Sequence, residues 1–297
     1  MDESLASPEM PRSAGSADGA IACCAAEVRR FDPDRYFTTL FAGEAERRAL
    51  IALYAFNLEI AKIRETVSEP MLGQIRLQWW REAIDGIYAG TPRQHQVVLA
   101  LEPAIRERGL PREPFEALIS GRELELEDEP PATLDELEAY LDATNGTLVA
   151  LGLHALGAKE GDAVLETGRA VGIASGYATV LKALRTEAGR RRPLIPRDVL
   201  ARHSVTTQDI AFGQSSQGLA KAVEEIADRA RSRLAAAKQA AARPSRRHMS
   251  PLLSASLVPS YLKALKAADH DPFAVNYERG ALGRHLRVFA KATLRRI

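Results

Sequence analysis

From about residue 21 onward, apolar positions recur three and four apart in one long stretch after another, the spacing of helices that each bury one face. No comparable stretch alternates strictly between apolar and polar, as a half-buried strand would. The pattern predicts helices over about 44–67, 71–89, 95–108, 113–128, 134–157 and 162–187, then a second group over about 216–242, 252–268 and 279–296. Helix-stopping residues separate them: Phe31-Asp32-Pro33-Asp34, Glu69-Pro70, Gly90-Thr91-Pro92, Gly109-Leu110-Pro111 and Glu129-Pro130-Pro131. Asp34 and Thr133 are the candidate N-caps, and Glu136, three residues after Thr133, fits a capping box. The run from Leu219 to Ala242 is rich in alanine and charge and has high intrinsic helix propensity. Pro193, Pro196 and His203-Ser204 predict an irregular connection at one end of the bundle. Residues 1–20, small and polar, predict a disordered leader, and residues 21–297 a single all-α domain.

Composition changes this picture little. Of 297 residues, 46% are hydrophobic and 27% charged, as in ordinary soluble domains, and 40 basic against 39 acidic residues announce no nucleic-acid partner. The cysteines, Cys23 and Cys24, are adjacent, which suits neither a zinc site nor a mutual disulfide and points to a reducing compartment. No apolar run approaches the ~20 residues that span a bilayer, and the first twenty residues lack a signal core, so a cytoplasmic location is expected. The six histidines show no metal-ligand spacing, and neither a Ser/His/Asp set nor a phosphate-cradling glycine loop is found.

Candidate chemistry is concentrated in two helical stretches, Tyr54–Glu65 and Gly172–Glu187, the second running on through Arg190-Arg191-Arg192 to Pro196. Aspartates four apart on each of two facing helices would clamp Mg²⁺ ions against a diphosphate, because they share a helical face and offer hard oxygen ligands. Here the first stretch has only Glu59 and Glu65, six apart on different faces, with Lys62 between them. Glu59, Lys62, Arg64 and Glu65 alone predict a solvated, salt-bridged surface. The small residues Gly172, Ala174, Ser175, Gly176 and Ala178, with Gly146 opposite, either pack helices closely or leave room for an alkyl chain. Trp79 and Trp80 cannot share one neighbour, which puts one in the core and the other at a groove or rim, though core packing is the expected role for both. Arg185, Arg190, Arg191, Arg192 and Arg197 form a cationic run suited to a diphosphate, an anionic lipid, an acidic partner or simply solvent, and Arg243–His248 is a second basic stretch.

The two stretches resemble the motifs YAFCRxxDDxxD and QLTNxxRDxxEDxxRGRxYLP of the squalene/phytoene synthase family, with Ala61, Lys62 and Ala183 where that family places aspartates. Gly73–Glu82 resembles its RLxWWR segment, Ile119–Glu127 its LIDGMxMDLE and Tyr140–Leu148 its YCYxVAGTV. The likeness runs in order over about residues 25 to 290. Ala55–Glu59, Val67–Pro70 and Arg190–Pro196 are most similar to the branch containing a mitochondrial complex I assembly factor, with its AFNVELA, VSE and SRRKVFLP.

The resemblance implies an isoprenoid-synthase-type helical bundle with a central cavity, the two signature helices facing each other and Gly176 and Ala183 beside a mostly apolar pocket. It implies no catalytic residues, only remnant positions Glu65, Ala183 and Glu187, and no cofactor; magnesium would enter only in an active enzyme, with Glu65 and Glu187 sharing an ion. Tyr54, Tyr140, Gly146, Gly176, Thr179, Lys182, Arg190 and Arg192 are the expected substrate- or lipid-binding positions. Complex I subunits or assembly factors, a prenyl lipid and an anionic membrane surface are the expected partners, with peripheral contact at the inner face of the cytoplasmic membrane. Three functions stay open: a non-catalytic factor in complex I assembly, a Mg-dependent head-to-head prenyltransferase, and a prenyl-lipid binding module.

Overall fold

The structure, a computed structural model, describes residues 17–67, 69–127, 129–187, 194–240 and 244–297. Every regular element among them is helical. The first six are α1 (Ala17–Phe31), α2 (Pro33–Thr39), α3 (Glu44–Thr66), α4 (Pro70–Tyr88), α5 (Gln96–Arg108) and α6 (Glu113–Gly121), closed by a 3-10 turn, Arg122–Leu126. The middle holds α7 (Leu134–Leu141), a π-helical turn (Asp142–Gly146), α8 (Thr147–Ala155) and the long α9 (Ala163–Glu187). The last third holds α10 (Arg197–Arg202), α11 (Thr207–Ala211), α12 (Gln217–Ala240), α13 (Met249–Leu252), a 3-10 turn (Leu253–Ser256), α14 (Val258–Ala267) and α15 (Ala281–Leu294).

Several boundaries differ from expectation. α1 begins inside the expected leader, and Ala20 is fully buried. The single helix expected over 134–157 is interrupted by the π turn, and the one over 252–268 by a 3-10 turn. The cap of α2 is Asp32, which accepts from the Arg35 N–H at 3.0 Å, because Pro33 takes the first helical position where a missing N–H costs nothing. Asp34 instead lies in the first turn. Thr133 does cap α7, accepting from Glu136 N–H at 3.2 Å, but the Glu136 carboxylate reaches back to Ala132 rather than Thr133.

The apolar faces form two cores. One gathers α1, α3, α4, α5 and α6; the other gathers α7, α9, α12, α14 and the turns around them. α8 is apolar all round and is the wall between them. Its Leu148, Leu151 and Ala155 belong to the first core, and its Val149, Ala150 and Leu153 to the second. α9 packs along α12, α8 and the π turn, whereas α3 packs on α1, α5 and α8. A polar tie also joins the second core: Glu138 of α7 accepts from Tyr177 of α9 at 2.9 Å and from Arg229 and Arg233 of α12 at 3.0 and 2.8 Å. Burial pulls the Glu138 pKa up, but these bonds outweigh it and hold the carboxyl below the usual range.

Trp80 is buried, edge-on to Phe56, while Trp79 is half-buried with the Arg93 guanidinium 5.1 Å from its ring. One tryptophan therefore packs inside and the other lies at a rim. Cys24 is buried and Cys23 exposed, both as free thiols.

Candidate functional site

α2 is the hub of a polar cluster that draws in residues from most of the signature stretches. Asp32 pairs with Arg35 at 2.7 Å. The other end of that guanidinium donates to Asn145 of the π turn at 2.8 Å and lies 6.0 Å from the Tyr54 ring of α3. Tyr54 is buried, and burial pushes its hydroxyl up to about 12 against the pull of Arg35. Two residues after Asp32, Asp34 takes the ammonium of Lys182 from α9 at 3.4 Å and the hydroxyl of Tyr261 from α14. Lys182 also sits 4.0 Å over the Tyr261 ring, which Arg284 of α15 approaches from 5.1 Å. Burial and the Asp34 carboxylate together raise the Tyr261 pKa, so this phenol stays protonated and donating.

Tyr54, Lys182 and the neighbours of Gly146 and Gly176 thus converge on α2, as residues of one site should. The charge pattern differs from what a diphosphate site needs. Arg35 and Lys182 each already hold an aspartate at the start of α2. An incoming diphosphate would have to displace both pairs before meeting a positive charge.

The space expected beside Gly176 is filled. A Cβ there would lie 2.8 Å from Leu141 and 3.1 Å from Asn145; at Gly172 it would lie 2.4 Å from the Asn145 carbonyl oxygen and 2.6 Å from Gly146 Cα. The small residues therefore serve close approach of α9 to the π turn, while α8 packs on both α3 and α9. Two surface depressions, one between α1, α3 and α5 and one between α12 and α14, include none of the residues singled out from the sequence. Thr179 is exposed on α9, its hydroxyl bonded to Ser175 O at 3.1 Å, and Ala183 is half-buried one turn on.

Tyr140 belongs to a different group of side chains from Tyr54 and Lys182. Its hydroxyl donates to Glu125 inside a second cluster, where Arg122 bonds Glu125, Tyr140 at 3.1 Å and Asn57 at 2.9 Å. Arg122 is only 9% exposed. Burial would lower its pKa, but the Glu125 carboxylate and the Tyr140 oxygen more than offset this and keep the guanidinium charged. Arg122 falls within the helix expected over 113–128 among Glu123, Glu125 and Glu127, and nothing in the sequence marked it as a buried ion pair.

The charged run on α3 is a surface. Lys62 pairs with Glu27 of α1 at 3.0 Å and lies 3.8 Å from Glu59, and Glu65 is exposed. Its backbone neighbour at the other end of the signature, Tyr54, is about 16 Å away along the helix axis. Among the described residues, no three acidic, histidine or cysteine side chains converge as metal ligands, so this donor set does not fit a multi-ion magnesium cluster. Glu187 ends α9 without a described side chain, and Arg190, Arg191 and Arg192 lie outside the described residues. No described helix is long and apolar enough to cross a membrane.

The chain is 29% identical over 263 residues to NADH dehydrogenase (ubiquinone) complex I assembly factor 6 of Bos taurus, covering 89% of this chain and 79% of that one. To its Mus musculus counterpart it is 30% identical over 256 residues, with 86% and 76% covered. The 15-cis-phytoene synthase of Synechocystis is 25% identical over 227 residues, with 73% and 67% covered. Among solved structures, a dehydrosqualene synthase superposes with a TM-score of 0.81 over 94% of this chain and 96% of its own, at 14% identity, which establishes the isoprenoid-synthase fold. With the squalene/phytoene synthase profile matching residues 28–290, nearly the whole folded part, this chain belongs to the squalene/phytoene synthase family.

Proposed function

We propose that this protein acts without catalysis in the assembly of a respiratory NADH dehydrogenase. The observation that carries the proposal is its similarity, over more than four fifths of its length, to assembly factor 6 of complex I in two mammals. The site chemistry supports it: Lys62 and Ala183 stand at two positions where metal-binding aspartates belong in the family's motifs, and the cations Arg35 and Lys182 are neutralised by Asp32 and Asp34. Phosphoryl leaving groups depend on charge stabilisation that such a site does not offer. A family scaffold without its diphosphate clamp is suited to present a surface to other proteins.

Deleting the gene in its host and resolving membrane complexes on native gels tests this. The expected result is less assembled NADH dehydrogenase, restored by the wild-type gene and equally by Ala183→Ser. Full complex I together with missing squalene or carotenoid would replace this proposal with head-to-head prenyl transfer, the alternative kept alive by the similarity to phytoene synthase. A prenyl-lipid binding role would instead leave both complex I and isoprenoid products intact.

A further inference from the structure

α15 carries its apolar stripe on the side away from the protein. Leu282, Leu286 and Phe289, spaced four and three apart, share one side of the helix and are 73%, 62% and 60% exposed. Small residues, Gly283 and Ala290, lie beside them. The opposite side meets the body through buried Val288 and through the cation Arg284, which bonds the Tyr277 carbonyl at 2.5 Å. A surface helix of a soluble domain normally buries its apolar stripe and exposes its charges. Here the order is reversed, and the row is contiguous rather than scattered. Leu40, also exposed, and Phe41, whose ring is 6.3 Å from Phe289, extend it beyond α2.

Charge identifies the occupant. From Arg279 to the last residue, Ile297, the chain carries six arginines and lysines and no aspartate or glutamate. Next to this stretch, Lys238 of α12 has its pKa lowered by burial and by the nearby Lys291 and Arg287, so three cations crowd together. Lys238, Lys263 and Lys266, with Arg231, then line a groove of about 530 Å³ between α12 and α14 that has no acidic residue in its lining; Arg231 pairs with Asp228. A second copy of this chain docking on the stripe would bring these like charges face to face. An anionic bilayer rewards both features, because leucine and phenylalanine enter the headgroup–acyl boundary while arginine and lysine reach the phosphates.

The geometry points to α15 as an in-plane anchor that seats Leu282, Leu286 and Phe289 in the surface of an anionic lipid bilayer, with the long cationic side chains flanking the stripe reaching round to the headgroups. The stripe lies on the other side of α15 from Arg284, which approaches the α2 cluster, and the inference does not rest on the assembly role.

Vesicle co-sedimentation of the full chain tests it, with phosphatidylcholine alone and with about three parts phosphatidylcholine to one of phosphatidylglycerol. Binding is expected to the second composition only, to weaken as salt shortens the screening length, and to drop roughly tenfold or more in the double variant Leu282→Asn/Leu286→Asn. Both positions are exposed, so the variant should retain its helical circular dichroism. A wild-type chain that stays in the supernatant, binds both compositions equally, or binds no better than the double variant overturns the anchor. So does a lipid-free dimer, seen by sedimentation velocity, that the double variant abolishes, since the stripe would then belong to a second copy.

Discussion

Removing Glu125 should expose how much the buried Arg122 cluster matters. Arg122 is enclosed, and its guanidinium meets Glu125, Tyr140 and Asn57 with solvent nearly excluded. Glu125→Leu leaves a charged guanidinium facing two neutral oxygens, and an uncompensated buried charge costs about 3–5 kcal/mol. Arg122→Met alone strands the carboxylate in the same way, at a similar cost of about 3–5 kcal/mol. In the double variant no charge remains buried; the Tyr140 hydroxyl and the Asn57 carbonyl are left to find other partners, at about 1–3 kcal/mol. The two single effects should therefore exceed the double effect by at least about 3 kcal/mol, a coupling far larger than surface pairs show. Urea denaturation of the four proteins, followed by far-UV circular dichroism with linear extrapolation, measures this directly. Single variants costing under about 1 kcal/mol, or a double variant as unstable as the sum of the singles, would refute the picture of one closed electrostatic unit.

Three further outcomes are expected. Gly172→Ala should destabilise by about 1–3 kcal/mol or more, because its Cβ would press on backbone atoms of Asn145 and Gly146 that cannot swing away; an unchanged urea midpoint would show that α9 can step back from the π turn. Glu138 has a folded pKa below its unfolded value of about 4.3, so its bonds stabilise above that value and the contribution is lost as pH falls through the folded pKa. Glu138→Gln should accordingly flatten the loss of stability measured between about pH 6 and pH 3, and an unaltered acid limb would exclude this carboxyl as its source. With Mg²⁺ and farnesyl or geranylgeranyl diphosphate, pyrophosphate release should not exceed background; turnover that disappears in Glu65→Gln or Glu187→Gln would establish catalysis.

The helical fold and the order of its motifs were readable because long apolar periodicities and proline breaks report local structure directly. What escaped was set by tertiary contacts. The π turn at Asp142–Gly146 follows from α9 pressing on it through Gly172, a contact between residues distant in sequence. Arg122 carried no sign of its burial, because a charged side chain reveals it only through partners on other elements. Asp32 was readable as the cap of α2, since the proline after it favours the first helical position, yet Asp34 drew the assignment. In α15 the periodicity was visible but not its direction: a 3.6-residue repeat marks an apolar side without saying whether protein or something else covers it.

The position of α8 between two cores has a consequence for synthesis. Leu50, Leu53 and Phe56 of α3 leave the ribosome early, but their packing is incomplete until Leu148 and Leu151 follow. That is roughly a hundred residues later, or about 5–20 s at ordinary elongation rates. Meanwhile the first half of the chain presents apolar helix faces with no wall to close them, the condition under which nascent chains engage chaperones. Once α8 arrives, it completes one core and begins the other within the same two turns. The halves are then bound into one cooperative transition, and a chain truncated before Thr147 should be degraded rather than persist as a folded fragment.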